Sequence, residues 1–312
     1  MIHKSVLLHE AIDGLDIKEG DVFVDGTLGG GGHTEEVVKR FAKEKDSGVV
    51  MIAIDLDPEA ILRTKERLAH LKLNIHYVND SFRNIDKIIL SLSSALGVAH
   101  ADRILLDIGL SSNQFEDSGR GFSFQKDEPL IMSFKNLPAQ AGDLTENDLT
   151  AREIVNTWDV ENIEAILSGY GEEQFSWKIA SAIVARRIQK PIETTFDLVE
   201  IIKIATPKFY HHRKIHPATK TFQALRITVN DEIESLKDGI RKGFEVLNVG
   251  GRLAVISFHS LEDRIVKQFF KQKEKEGLAK LINKKIITPT REEVKENPRS
   301  RSAKLRIIEK IK

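Results

Sequence analysis

The residues best equipped for chemistry in this sequence stand just past short apolar runs. Asp25 closes VFVD, Asp55 closes VVMIAID, Asp107 closes RILLD, and Phe82 follows the run IHYV by a few residues. Carboxylates in such places can accept hydrogen bonds from hydroxyls and amines, and an aromatic ring offers a stacking face. The densest stretch is VFVDGTLGGGGH at 22–33, where an Asp is followed by glycines 29 to 32 and then His33. It reads as a strand, a glycine turn and a helix N-terminus, a unit whose backbone amides can approach a ligand closely.

The spacing decides between ligands. A dinucleotide fingerprint needs Gly-x-Gly-x-x-Gly. Counted from Gly26 the middle position is Leu28, and counted from Gly29 or Gly30 the last position is Thr34 or Glu35, so no register fits. An acid at the end of the first strand repels a pyrophosphate and suits a cation such as S-adenosylmethionine (AdoMet). Asp55, at the tip of the second strand, can accept from both ribose hydroxyls. Asp57 is placed to cap the helix that Pro58 opens. Phe82 can pack on adenine or belong to the core.

These residues need a sheet to hold them at one edge. Strands are expected at 22–25, 49–55, 75–78 and 103–107, alternating with helices at 34–44, 58–71 and 85–96, after a short lead-in helix at 5–12. Such alternation implies a parallel sheet covered on both faces, with ligands outside its carboxyl edge. The pattern breaks after Leu110. Helices are expected at 146–157, 161–167, 174–187 and 195–205, then one long helix at 221–247, a strand at 252–258, a helix at 261–275, and strands at 283–288 and 304–309. The fold class is therefore α/β, a Rossmann-like class I AdoMet-dependent methyltransferase sheet with an inserted all-helical domain. Residues 1–112 and 215–312 form the sheet domain, and 113–214 the insertion.

The totals narrow the class further. The 312 residues carry 47 basic and 47 acidic side chains and no cysteine. This excludes disulfides, thiolate metal sites and Cys nucleophiles, and it fits a reducing, cytoplasmic setting. No stretch is long and apolar enough for a membrane span or a signal peptide core. No Gly-x-Ser-x-Gly elbow is present for a Ser-His-Asp hydrolase.

Longer blocks extend the picture. DGTLGGGGHT at 25–34, SVLLHEAIDGL at 5–15, DIGLSSNQF at 107–115, RGFSF at 120–124, YGEEQF at 170–175, HPATKTFQALRITVNDE at 216–232, GRLAVISFHSLEDRIVK at 251–267 and NPRSRSAKLR at 297–306 resemble the bacterial 16S rRNA cytosine-N4 methyltransferase family (RsmH or MraW). The resemblance covers nearly the whole chain. It implies AdoMet contacts at Gly31, Gly32, His33, Asp55, Phe82, Asp107 and Gln114, and methylation of a cytosine in the decoding region near the P site of the small ribosomal subunit. The chain departs from the family pattern at 127–135, where DEPLIMSFK stands for the usual Asp-Gly-Pro-Leu-Asp-Met-Arg-Met-Asp, and at Asn113, where Pro is usual. That loop is expected near the target base or the domain junction.

Cytosine N4 is a weak nucleophile because its lone pair is delocalised, so positioning must supply much of the acceleration. Asp107, or the backbone carbonyls after it, is the candidate acceptor for the N4 protons, although the resemblance also gives Asp107 a cofactor contact. The Pro-Pro-aromatic motif of DNA amino-methyltransferases is absent, which weighs against a DNA substrate. A non-catalytic RNA-binding or assembly protein on an AdoMet fold is the other alternative. From Lys178 to Arg226 there are ten basic and three acidic residues, while from Asp143 to Glu173 there are nine acidic and one basic. Arg186, Arg187, Arg213, Lys214 and Lys220 are thus RNA-binding candidates, with Arg299 and Arg301 in a second cluster that includes Lys304 and Arg306. His211, His212 and His216 lack carboxylate partners in the sequence and read as an RNA-facing loop; no metal is expected. His259 could face the base, Ser260 and Asp263 have N-cap spacing, and Phe122 and Phe124 either line the cleft or pack a loop. A homodimer is left open.

Overall fold

A computed structural model describes residues 4–41, 48–71, 74–109, 118–135 and 148–312. Gln114 and Asn113 lie outside the described residues, as does part of the acidic stretch from Asp143. The chain divides into two units, Met1–Leu110 with Ile233–Lys312, and Ser111–Glu232.

The first unit is a seven-stranded sheet. In chain order its elements are α1 (Leu8–Leu15), β1 (Val22–Asp25), α2 (Gly32–Phe41), β2 (Val50–Asp55), α3 (Pro58–Leu68), β3 (Ile75–Asn79), α4 (Ile85–Leu96) and β4 (Ala101–Asp107). The strands run in the order β3-β2-β1-β4-β5-β7-β6, where β5, β6 and β7 are Leu247–Ser257, Ala279–Leu281 and Lys304–Lys310. Pairing is parallel from β3 through β5, and β7 runs antiparallel to both β5 and β6. The apolar strand runs follow from burial on both faces. Val22, Val24, Ile52, Ile54, Ile104 and Leu106 point to one face and pack with Ile85, Ile88 and Ile89 of α4. Phe23, Met51 and Leu105 point to the other, with Ala11, Ile12 and Leu15 of α1 and Val37 and Val38 of α2. On that second face α1 lies under the last strand. Leu305 and Ile307 share its core, a Cβ on Gly14 would sit 2.1 Å from Ile307 Cδ1, and the Leu7 amide donates to Glu293.

The second unit is helical: α5 (Ala151–Thr157), α6 (Val160–Gly169), α7 (Ser176–Gln189), α8 (Thr195–Ala205), α9 (Lys208–His211) and α10 (Thr219–Val229). Three expectations need correction. The single helix at 221–247 is two helices, α10 and α11 (Glu232–Val246), separated at Asn230 and Asp231. Asn230 accepts from the Phe134 amide and donates to the Met132 and Arg226 carbonyls, and Asp231 is left-handed with φ 47°. These bonds offer the backbone an alternative to helix. Because α10 packs on α5 and α6, the helical unit runs to Glu232, beyond the boundary expected at 214. The strand expected at 283–288 is β6 at Ala279–Leu281, with only an isolated bridge from Ile287 to Leu305.

The departing loop 127–135 is woven into the helical unit. Leu130, Ile131 and Met132 are buried; Glu128 exchanges hydrogen bonds with Thr195 and accepts from the Gly121 amide; and Arg120 donates to the carbonyls of Ser133, Phe134 and Lys135. Of the three replacements, Ile131 and Ser133 fill core positions, and Lys135 reaches Asp148 at 3.7 Å. Phe122 is likewise buried and stacks on Phe134 at 5.8 Å, whereas Phe124 stacks on His216 at 4.5 Å.

Candidate active site

The carboxyl ends of β1, β2 and β4 lie side by side, because β1 pairs with both other strands. Each strand-end acid has a different task. Asp25 is fully buried; its oxygens accept from Thr34 Oγ1 at 2.7 Å and the Thr27 amide at 3.2 Å. It ties the glycine turn to α2 rather than facing a ligand, which corrects the reading of it as a partner for a cation. Burial pushes its carboxyl up to about 6, against the two hydrogen bonds that favour the charged form.

Asp55 is held differently. Oδ2 accepts from the Gly29 amide at 2.7 Å and Oδ1 from the Asp57 amide at 2.8 Å. Each oxygen keeps a lone pair, so the carboxylate is oriented and can still receive two hydroxyls. Burial raises its pKa and those two amides oppose the shift. Asp57 caps α3 through the Glu59 amide at 3.0 Å, as its place before Pro58 implies.

In the turn, the Gly31 amide is spent on the Leu28 carbonyl at 2.6 Å. Gly31 has φ +69°, and a Cβ there would lie 2.3 Å from Thr64 Cγ2; on Gly32 it would lie 2.0 Å from Ser5 Oγ. These glycines allow close packing of protein on protein at the base of the turn. Gly32 and His33 begin α2, so their amides belong to the first helical turn, where no carbonyl of the helix can reach them. The His33 ring is buried, with Nε2 3.2 Å from the Val6 carbonyl oxygen and Nδ1 3.7 Å from Asp107 Oδ2. Phe82 joins the core: a Cβ on Gly239 of α11 would meet its ring at 2.4 Å.

Asp107 is the most strained electrostatically. Its amide donates to Thr27 Oγ1 at 2.6 Å, and Oδ1 is buried with no hydrogen-bond partner among the described residues. Burial first, then the charges of Asp25 and Glu262, push its carboxyl up to about 8. Glu262 is itself buried; its Oε2 accepts from the Phe258 and His259 amides at the start of α12 (Ser260–Lys275). His259, not Ser260, caps that helix, with Nε2 2.9 Å from Glu262 Oε1. Asp263 instead binds Arg306 at 2.7 Å and Lys304 at 3.4 Å, which removes those two cations from the expected basic cluster.

Negative groups thus crowd the Asp107 end of this edge, and a ligand bearing positive charge relieves the crowding. The donor set fits AdoMet: fixed acceptors for a ribose at Asp55, helix-terminal amides at Gly32 and His33, and an excess of carboxylate for an ammonium and a sulfonium.

The other candidates are sorted by what already holds them. Arg187 donates to the Val155 carbonyl and Lys220 to the Glu172 carbonyl, so both help to fix the helical unit. Arg213 and Lys214 are exposed and Arg186 is half-buried. The Arg213 guanidinium lies 5.0 Å from the Tyr210 ring centroid and 5.9 Å from that of Phe209, which is 58% exposed. Arg299 and Arg301 are exposed on the 3-10 turn Pro298–Ser302 of the first unit.

A sheet in the order 3-2-1-4-5-7-6, with β7 alone reversed and carboxylates at the ends of β1, β2 and β4, defines a class I AdoMet-dependent methyltransferase. The chain belongs to the MraW methylase family, whose profile matches residues 1–311. It is 45% identical, over an alignment of 324 residues, to the ribosomal RNA small subunit methyltransferase H of Clostridium botulinum strain Kyoto / Type A2, covering 99% of both chains. The enzyme of the same name from strain Loch Maree / Type A3 is 44% identical with the same coverage.

Proposed function

We propose that this protein methylates the exocyclic N4 of a cytosine in 16S rRNA, in the decoding region near the P site of the small ribosomal subunit, in the cytoplasm. Family membership and the names of the relatives support the rRNA substrate. The observation that carries the chemistry is Asp107, whose buried Oδ1 has no partner among the described residues at the carboxyl end of a central strand.

AdoMet, when bound, supplies a methyl group already activated on sulfur. Asp55 would hold its ribose, and the Gly32 and His33 amides its polar end. Beside the positive charge of bound AdoMet, Asp107 would return to its carboxylate form, which accepts a hydrogen bond from the N4 amine, aligns its lone pair and takes the proton that methylation displaces. Among general bases this service is worth about 10²–10⁴ in rate. The base must leave its stack to reach Asp107, at a cost of a few kcal/mol. The cations on Arg186, Arg213, Lys214, Arg299 and Arg301 offset part of that cost by engaging phosphates. No helix among the described residues is long and apolar enough to cross a membrane.

The test is direct. The protein is incubated with labelled AdoMet and naked 16S rRNA, assembled small subunits or DNA, and the product nucleosides are separated. N4-methylcytidine from small-subunit RNA is expected. Label in another nucleoside, or in DNA alone, refutes the proposal.

A further inference from the structure

We infer that the His33 imidazole is the relay through which Asp107 passes on the proton taken from the methylated amine. This rests on the reading of Asp107 as the N4 acceptor. The argument begins at the far side of the ring. His33 Nε2 lies 3.2 Å from the Val6 carbonyl oxygen, which can only accept, so Nε2 carries the hydrogen. In a neutral imidazole Nδ1 then carries the lone pair, and Nδ1 is the nitrogen that faces Asp107 Oδ2 at 3.7 Å. A closing movement of less than ~1 Å makes this a hydrogen bond, the kind of tightening that catalytic contacts undergo once a complex forms.

The glycine turn fixes both members of the pair. Thr27 receives the Asp107 amide and gives its own amide to Asp25, Asp25 receives the Thr34 hydroxyl, and His33 sits immediately before Thr34 in α2. Among the described residues, the charged groups that face Asp107 are Asp25 from β1, Glu262 from α12 and His33 from α2, with His259 against Glu262. Two of the three direct neighbours are carboxylates. With the proton on Asp107 and the lone pair on Nδ1, a donor and an acceptor face one another across the 3.7 Å gap, and the proton can pass between them once it closes.

The step balances. The N4–CH3 bond forms, and the N–H bond then breaks with both electrons staying on nitrogen. The proton becomes the O–H of Asp107; that bond breaks in turn as the His33 Nδ1 lone pair takes the proton, restoring the Asp107 carboxylate. Because His33 acts through Asp107, it is a positioning and relay residue.

His33→Gln tests this. The Gln amide can still donate to the Val6 carbonyl but offers no base. With small-subunit RNA and saturating AdoMet, single-turnover methyl transfer should fall roughly 10–100-fold, with a changed acid limb of the pH–rate profile and a changed solvent deuterium effect. Independently of activity, ¹⁵N resonances of the His33 ring in the ligand-free protein should show the Nε2–H form, and Asp107→Asn should move the His33 titration. Unchanged transfer and pH profile in His33→Gln, a loss carried wholly by AdoMet affinity, or an Nδ1–H ring overturns the relay. If wild type makes no N4-methylcytidine, the functional proposal fails instead, and the ring measurements still report whether His33 and Asp107 are coupled.

Discussion

Asp107→Asn should make the protein more stable and nearly inactive, and its stability gain should depend on pH in one direction only. The wild-type carboxyl is moved from 3.8 to about 8 by burial and by the charges of Asp25 and Glu262. Between those values the native state holds a proton that the unfolded chain has released. Stability therefore falls as pH rises through that window, and the loss is complete above about 8. At about 1.4 kcal/mol per pH unit, the full displacement corresponds to roughly 6 kcal/mol. Relaxation and water penetration leave a fraction of this, on the order of 2 kcal/mol. Asn carries no charge and keeps the shape, so its advantage should be absent near pH 4 and should reach about 4–8 °C in thermal midpoint above pH 8. The assay is thermal unfolding of the ligand-free variant and wild type across that range, with single-turnover methyl transfer beside it. Transfer should fall by about 10²–10⁴. A gain equal at pH 4 and pH 8.5, a loss of stability at pH 8.5, or unchanged turnover would refute the reasoning.

Other substitutions separate scaffold from chemistry. Thr34→Val removes the hydroxyl bonded to buried Asp25 and should cost about 1–3 kcal/mol in chemical denaturation. Gly32→Ala places a methyl 2.0 Å from Ser5 Oγ; a cost of about 1–3 kcal/mol is expected, relieved by Ser5→Gly in a double-mutant cycle. Tyr210→Phe strips the 2.6 Å hydrogen bond from buried Glu173 and should lower the thermal midpoint by a similar energy, without changing AdoMet affinity. Arg213→Ala should reduce the salt dependence of RNA binding by about one phosphate contact, read as a change near 1 in the slope of log K against log salt.

The parallel half of the sheet was legible because β1, β2 and β4 are short apolar runs that end in acids, and because helices of ordinary period separate them. Asp57 was legible as a cap because the Pro after it marks the helix start. Other features depend on partners distant in sequence. Asp25 looks like a ligand residue until Thr27 and Thr34 are seen to consume both its oxygens. The helix break at Asn230 is hidden because amphipathic spacing continues across it, and only Met132 and Phe134 reveal why the chain turns. DEPLIMSFK looks like an altered substrate loop, yet apolar Leu130, Ile131 and Met132 are what a core segment requires. The His33–Asp107 pair has no local signature, since it exists only because β1 and β4 are neighbours.

The packing of α1 under β7 carries a consequence for synthesis. Leu7 bonds to Glu293, 286 positions later, and Gly14 meets Ile307. At about 5–20 residues per second, α1 waits roughly 15–60 s for β7, the last of the strands packed on it. During that interval the apolar surface that Leu305 and Ile307 cover stays open to solvent or to a chaperone. A nascent chain stalled before β7 should therefore remain chaperone-bound even though six strands of its sheet have already been made.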